Sequence, residues 1–157
     1  MRVAVVSDTH GRLWLIDDMM KKMGVVDQII HLGDYTGDVD KIRKYTDKEI
    51  ISVRGNCDFT KTIPAEQVIE INNTRLFITH GHNYGVKWGY NKLINKAQEL
   101  GVKWVLYGHT HIPEIYQQKG ITLINPGSAT QPRDGNRYTI AILEFNNTGL
   151  IPYILEI

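Results

Sequence analysis

Five short apolar runs, each followed at once by a sharp polar turn, constrain this 157-residue chain more than any other feature. The first three runs alternate with helical patterns, an order typical of parallel strands joined by right-handed crossovers. In such sheets the turns after the strands meet at one edge. We therefore expect the five turns to converge. They are SDTH at 7–10, GD at 33–34, GNCD at 55–58, HGH at 80–82 and GHTH at 108–111.

The remaining pattern completes an α/β fold. A helix that ends near Gly24 follows the first strand, and a short helix that begins at Asp38 and includes Tyr45 follows the second. The pair Asn72-Asn73 predicts a hairpin, and a helix is predicted over 88–100. The predicted strands are 3–6, 28–32, 50–53, 67–71, 75–79, 102–107, 114–118, 122–124, 138–145 and 150–157. We interpret residues 1–157 as a single domain, a four-layer α/β/β/α sandwich of two mixed β-sheets flanked by helices.

Composition and charge exclude several classes of protein. A formal charge of +1 gives no reason to expect a nucleic-acid partner or an acidic membrane surface. No apolar run approaches the ~20 residues that a membrane span needs. The single cysteine, Cys57, excludes an internal disulfide, and Met1 leads directly into a strand with no basic segment or cleavage site before it. We expect a cytoplasmic protein.

The histidines are concentrated in the turns. Five of the six lie there, and only His31 lies within a strand run. In an extended segment residues i and i+2 point the same way, so His109 and His111 can converge on one point. Imidazole, carboxylate and amide ligands together suit Mn²⁺, Fe²⁺, Zn²⁺, Co²⁺ or Ni²⁺ better than Ca²⁺ or Mg²⁺. Two aspartates, one asparagine and four histidines suit two ions at ~3.5–4 Å that share a bridging carboxylate.

The ordered set D-x-H, GD, GN-x-D, HGH and GHTH, followed by NPGS at 125–128, resembles the calcineurin-like metallophosphoesterases, and in particular their small prokaryotic YfcE-type phosphodiesterases. The resemblance covers nearly the whole chain. It implies that two divalent transition-metal ions are bound, with Mn²⁺ the first choice. The implied ligands are Asp8, His10 and His111 for one ion and Asn56, His80 and His109 for the other, with Asp34 bridging them.

The resemblance also implies the reaction. A metal-bridging hydroxide would attack the phosphorus of a small phosphate ester, and Asn56 would donate its amide NH₂ to the phosphate. It further allows a homo-oligomer. We accordingly expect a metal-dependent phosphodiesterase. The alternatives are a phosphomonoesterase and a non-catalytic scaffold that resembles a retromer subunit, because fold alone does not fix function.

One position departs from many members of the family. Cys57 occupies the place of a histidine that protonates the leaving group there, with an acid, here Asp58, orienting it. The YfcE-type branch resembles this chain in having GNCD. Cysteine cannot reproduce an imidazolium acid near neutral pH. We therefore expect either a preference for good leaving groups or a proton supplied by water or His82, and the catalytic candidates are Asn56, Cys57, Asp58 and His82.

Each residue also has a simpler interpretation when taken alone. The aspartates and Asn56 are common in turns, and histidines at strand ends can be ordinary hydrogen-bonding residues. His82 can be an ordinary loop residue, Asp58 can stabilise a turn, and Cys57 can be a small packed side chain. Arg12 and Arg133 are either phosphate contacts or solvated surface residues. For the seven predicted ligands, the simpler interpretations would all have to hold at once, which favours the metal centre.

Overall fold

The computed structural model describes residues 1–135 and 137–157. Within these residues, ten strands and three α-helices follow one another in the order β1, α1, β2, α2, β3, β4, β5, α3, β6 to β10, and two short 3-10 helices lie at Thr36–Asp38 and His82–Tyr84. The helices are α1 Leu13–Met23, α2 Val39–Ile42 and α3 Asn91–Glu99. The strands are β1 Arg2–Val6, β2 Gln28–His31, β3 Ile50–Ser52, β4 Glu66–Ile71, β5 Thr74–Thr79, β6 Trp104–Leu106, β7 Pro113–Gln118, β8 Ile121–Pro126, β9 Thr139–Asn146 and β10 Gly149–Glu156.

The strands form two mixed five-stranded sheets. Sheet A has the order β10-β9-β1-β2-β3, and sheet B has the order β4-β5-β6-β8-β7. In sheet A, β1, β2 and β3 are parallel, and in sheet B, β5, β6 and β8 are parallel. The remaining strands pair antiparallel with their neighbours.

The period of two along β1 explains how the layers pack. Val3 and Val5 belong to a core cluster that includes residues of both sheets, whereas Ala4 and Val6 pack with α1 on the outer face of sheet A. Helix α3 packs its buried Leu93 on the outer face of sheet B. The predicted α/β/β/α arrangement of two mixed sheets with helices is confirmed.

Two helix boundaries differ from the prediction, for local reasons. Helix α3 begins at Asn91 rather than at residue 88, because Gly85 and Gly89 have φ of 63° and 145°, which a right-handed helix cannot include. Helix α2 ends at Ile42, so Tyr45 lies beyond it. The hairpin at Asn72-Asn73 is confirmed. Its two residues have φ of 48° and 60°, the signs that a type I′ turn requires.

None of the helices in the part of the chain that the structure describes has both the length and the apolar character needed to cross a bilayer.

Candidate metal centre

The five polar turns converge as expected, because each follows the carboxyl end of a parallel strand. The turns after β1, β2 and β3 belong to sheet A, and those after β5 and β6 belong to sheet B. The two sets meet across the top of the sandwich. Main-chain hydrogen bonds join neighbouring turns within each set, from Asp8 N to Gly33 O (3.1 Å) and from Gly108 N to His80 O (3.0 Å).

The backbone at this edge adopts conformations that side chains other than glycine rarely accept. Five of the seven predicted ligands have positive φ: Asp8 (56°), His10 (46°), Asp34 (57°), His109 (70°) and His111 (62°). Left-handed backbone at non-glycine residues costs about 1–3 kcal/mol each and concentrates at functional sites. The sharp turns therefore keep an energetically unfavourable geometry that directs these side chains toward one another.

A first group of ligand atoms surrounds one carboxylate oxygen. His111 Nε2 lies 3.2 Å from Asp8 Oδ1, and His10 Nε2 lies 3.2 Å from His111 Nε2 and 3.9 Å from Asp8 Oδ1. The three atoms lie within the span that one metal ion can bridge. Asp8 is completely buried and His111 nearly so.

A second group shares Asp8 with the first and adds Asp34 and His80. His80 Nε2 lies 3.5 Å from Asp34 Oδ1 and 3.9 Å from Asp8 Oδ1. The other oxygen of Asp34, Oδ2, lies 3.8 Å from His10 Nε2. Asp34 thus directs one oxygen toward His80 and the other toward His10, which is the placement that a bridging carboxylate requires.

The hydrogen bonds of two histidines fix which ring nitrogen is free. His80 Nδ1 donates to Leu32 O at 2.8 Å, and His111 Nδ1 donates to Gln131 O at 2.6 Å, since a carbonyl can only accept. In the neutral ring Nε2 then carries a lone pair, and both Nε2 atoms face the carboxylates. This orientation by a backbone carbonyl is the usual support of a metal-binding histidine.

Two atoms at the middle of the cluster have no partner. Asp8 Oδ1 and His80 Nε2 are fully buried and form no hydrogen bond with any described residue. Unpaired buried polar atoms cost about 1–3 kcal/mol each. Here a carboxylate oxygen and an imidazole lone pair face each other at 3.9 Å, so a cation between them would satisfy both. The donor set therefore fits divalent metal ions.

The charge states agree with this assignment. Burial acts to raise the pKa of Asp8, but the nearby imidazoles of His111 and His80 lower it to about 2, so the carboxylate is charged at neutral pH. Burial lowers the pKa of His10. Burial, together with the charges of His80 and Lys87, lowers the pKa of His109 to about 4. His10 and His109 are therefore more readily neutral than free imidazoles, and the neutral ring is the form of histidine that binds a metal.

The two remaining predicted ligands, His109 and Asn56, lie outside the two groups of ligand atoms. The His109 ring lies with its centroid 5.1 Å from that of His80, and its main-chain N donates to Asp8 Oδ2 at 3.1 Å. Asn56 is exposed, and its amide nitrogen donates to Cys57 Sγ at 3.3 Å. Its amide oxygen accepts no hydrogen bond from a described residue. The structure thus brings the ligand atoms of five of the seven predicted ligands together, whereas the His109 ring packs beside His80 and Asn56 stands at the edge of the group.

Cys57 contacts the bridging candidate. Its main-chain N donates to Asp34 Oδ1 at 2.9 Å, and its sulfur lies near the ligand atoms of His10 and Asp34. Burial, with the hydrogen bond to Asp34 and the charge of that carboxylate, raises the pKa of the thiol to about 11. The side chain is therefore a protonated thiol at neutral pH.

Asp58 is fully engaged by the backbone of the neighbouring turns. Its Oδ2 accepts from Asp34 N (2.9 Å) and Gly55 N (2.8 Å), and its Oδ1 accepts from the main-chain N and the hydroxyl of Thr36 (2.7 and 3.1 Å). These bonds hold the turn after β3 against the turn after β2. Asp58 therefore positions Asp34 and does not face the cleft with a free oxygen.

His82 lies beside the histidine pair. Its ring centroid is 5.4 Å from that of His80 and 6.1 Å from that of His109. Its buried Nδ1 forms no hydrogen bond with a described residue. Burial and the charge of His80 lower the pKa of His82, so the ring is more readily neutral than in water. His82 therefore lies next to two of the proposed metal ligands, His80 and His109.

Several supporting residues were not predicted from the sequence. Asn125 donates to Gly108 O and to Thr110 Oγ1, both at 3.0 Å, and Ser128 Oγ donates to Asp8 O at 2.8 Å. Both residues are completely buried, so the NPGS turn supports the metal-binding turns from below. His31 joins the turns after β1 and β2 through Thr9 Oγ1 (3.2 Å) and Gly33 N (3.2 Å). The NPGS motif was visible in the sequence, but its hydrogen-bonding partners were not.

Comparison with known proteins agrees with this site. The family model described as the calcineurin-like phosphoesterase superfamily domain matches residues 1–148. The probable metallophosphoesterase YsnB of Bacillus subtilis is 32% identical over 148 residues, which are 94% of this chain and 86% of that protein. The phosphodiesterase YfcE of Escherichia coli is 36% identical over 105 residues, which are 61% of this chain and 53% of that protein.

Solved structures share the architecture. A predicted phosphoesterase from Streptococcus pneumoniae superposes with a TM-score of 0.81 at 30% identity, covering 99% of this chain and 88% of that one. Vps29 from Entamoeba histolytica, in its complex with Zn²⁺, superposes with a TM-score of 0.76 at 22% identity, covering 99% of each chain; this likeness shows the fold alone. Because the family model matches residues 1–148 of the 157, the chain belongs to the calcineurin-like phosphoesterase superfamily.

Proposed function

We propose that this protein is a metal-dependent phosphodiesterase that hydrolyses small phosphate esters. The observation that carries the proposal is the pair of buried atoms Asp8 Oδ1 and His80 Nε2, which lie 3.9 Å apart among imidazoles and carboxylates and form no hydrogen bond with a described residue. The relative named phosphodiesterase YfcE supports a diester as the substrate.

The proposed ligands are those of the sequence analysis. One ion would be held by Asp8, His10 and His111, the other by Asn56, His80 and His109, with Asp34 shared between them. When bound, a pair of divalent ions supplies an activated water and positive charge for the phosphate oxygens. We propose Mn²⁺ as the first choice, with Ni²⁺, Fe²⁺, Co²⁺ and Zn²⁺ as alternatives, because imidazole and carboxylate ligands suit all five.

The residues at the rim have distinct proposed roles. Asn56 is exposed and can turn its amide so that the NH₂ donates to the phosphate. His82, whose ring lies beside those of His80 and His109, is a proposed source of the leaving-group proton, as an alternative to water. Cys57 is a poor acid because its pKa is raised to about 11. Asp58 acts only through the turn that carries Asp34.

Removal of metal is the direct test. Treatment with EDTA followed by desalting should abolish hydrolysis of bis(p-nitrophenyl) phosphate, and added Mn²⁺ should restore it. The reason is that the one thiol among the described residues of the proposed site, that of Cys57, has a pKa raised to about 11 and is not an activated nucleophile. Release of p-nitrophenolate measures the rate, and elemental analysis measures the bound metal. Binding of about two ions per chain without any hydrolysis would instead favour the scaffold alternative. Faster hydrolysis of p-nitrophenyl phosphate would favour the phosphomonoesterase.

Replacement of Cys57 tests the source of the leaving-group proton. Cys57→His should raise kcat for a poor-leaving-group diester, such as an alkyl ester, by about 10- to 100-fold relative to an aryl diester, because general acids contribute about 10²–10⁴-fold where the leaving group needs a proton. The matched control is Cys57→Ser, which removes the thiol without adding an acid. If both esters change in the same proportion in Cys57→His, the residue at position 57 is not in reach of the leaving group.

Cytoplasmic location, the absence of a membrane or nucleic-acid partner and a homo-oligomeric state stay predictions from the sequence and the family resemblance.

A further inference from the structure

A separate cleft of about 400 Å³ adjoins the GHTH turn. Thr110, which lines it, stands between two proposed metal ligands, His109 and His111. Arg133 also lines it, and the main-chain N of Arg133 donates to His111 O at 3.3 Å. The cleft therefore lies next to the place where the phosphate of a substrate would bind, within reach of one of its substituents.

The side chains of the cleft leave it positively charged. Lys87 and Arg133 both line it, both are exposed, and neither forms an ion pair with an acid among the described residues. Glu114 is the one acid among the described lining residues. Its Oε2 accepts hydrogen bonds from the hydroxyls of Tyr107 (2.8 Å) and Tyr90. The Glu114 carboxylate is thus hydrogen-bonded to two tyrosines, whereas the charged groups of Lys87 and Arg133 have no acidic partner among the described residues and can bind a ligand.

The remaining lining gives the cleft the character of a small-molecule site. Val86 is almost fully buried and Ile112 is 45% exposed, so both provide apolar surface beside the two cations. Ligand sites typically have volumes of about 300–1,000 Å³ and combine apolar walls with a few polar groups. A cleft of this size can take a sugar or nucleoside but not a folded protein segment.

We propose that this cleft binds the non-leaving substituent of the phosphodiester and selects substituents that carry a second phosphate, held by Lys87 and Arg133. The inference rests on the proposed function, because it names the substrate class of the same site. Lysine and arginine side chains are common receptors for phosphate groups in proteins. A diester with a neutral second substituent would lack these contacts.

The test compares two substrates that differ by one phosphate. Thymidine 5′-(p-nitrophenyl phosphate) and its 3′-phosphorylated form share the leaving group and the nucleoside. The wild-type protein, loaded with Mn²⁺, should show a kcat/KM about tenfold or more higher for the 3′-phosphorylated ester, since a charge-assisted contact contributes on that scale. Lys87→Ala and Arg133→Ala should each remove most of this preference, and the double variant should remove it all. The preference should also decline as ionic strength rises.

Controls separate this inference from the proposed function. Lys44→Ala, an exposed lysine outside the cleft, should keep the full preference. Calorimetric titration of the metal-depleted protein with thymidine 3′,5′-bisphosphate should give heat of binding that is lost in the double variant. Equal kcat/KM values for the two esters in the wild type, or an unchanged preference in the double variant, would overturn the inference while leaving phosphodiester hydrolysis intact. Failure to hydrolyse bis(p-nitrophenyl) phosphate would overturn the proposed function itself.

Discussion

Asp34→Asn should reduce kcat for bis(p-nitrophenyl) phosphate by about 10³-fold or more and should lower the bound metal from two ions per chain to one or none. Asp34 is the residue whose two oxygens face different histidines, with Oδ1 at 3.5 Å from His80 Nε2 and Oδ2 at 3.8 Å from His10 Nε2. An amide replaces one of these oxygens with an NH₂ group, which cannot bind a cation. A metal ion contributes several kcal/mol to such a reaction, and each ~1.4 kcal/mol is tenfold in rate.

The control for this variant is Asp40→Asn. Asp40 is exposed, and its one ion pair among the described residues is with Arg43, at 3.1 Å. Its replacement should leave metal content unchanged and the rate within about twofold, because surface ion pairs contribute about 0–1 kcal/mol. Elemental analysis and steady-state kinetics on the same preparations measure both quantities. An Asp34→Asn protein that kept two ions and the full rate would show that Asp34 is not the bridge.

Gly55→Ala should displace the same carboxylate without altering its chemistry. A Cβ at residue 55 would overlap Asp34 Oδ1 and lie 2.6 Å from the main-chain N of Asp34, so either the turn after β2 or the turn after β3 must move. Overpacking of this kind typically costs about 1–3 kcal/mol. We expect a free energy of unfolding lower by that amount in the metal-free protein, and loss of at least one ion at micromolar metal concentrations.

Gly37→Ala provides the matched comparison for Gly55→Ala. Gly37 lies two residues beyond Tyr35 in the same region, and a Cβ there would meet no atom within 4 Å. Denaturant unfolding and metal analysis should therefore give wild-type values for this variant. If Gly55→Ala behaved in the same way, the close packing of Gly55 against Asp34 would not be what holds the carboxylate in place.

The sequence predicted the layers and the meeting of the turns because these follow from simple periodicities. Alternation along β1 assigns Val3 and Val5 to one face and Ala4 to the other. The order of strands and helices in the first third of the chain fixes parallel pairing, and parallel pairing brings the turns to one edge. The Asn-Asn hairpin has its own local signal.

The finer parts of the site depend on contacts between residues far apart in the chain, which no local pattern encodes. The carboxylate of Asp58 accepts hydrogen bonds from the main-chain N atoms of Asp34 and Thr36. These bonds form only because the turns after β2 and β3 pack together in the fold. The hydrogen bond from Asn125 to Gly108 likewise links the end of β8 to the turn after β6. The start of α3 was predicted too early because the apolar pattern continues through Gly89, whose backbone cannot be helical.

The position of the site between the two sheets has a consequence for how the protein unfolds. His80, after β5 of sheet B, donates to Leu32 O of sheet A, and Asp8 of sheet A accepts from His109 N of sheet B. On the proposed assignment each ion would bind side chains from both sheets. The bound ions would then act as cross-links that must be released before the halves of the sandwich can separate. The loaded protein should therefore survive protease and denaturant for longer times than its equilibrium stability alone would suggest.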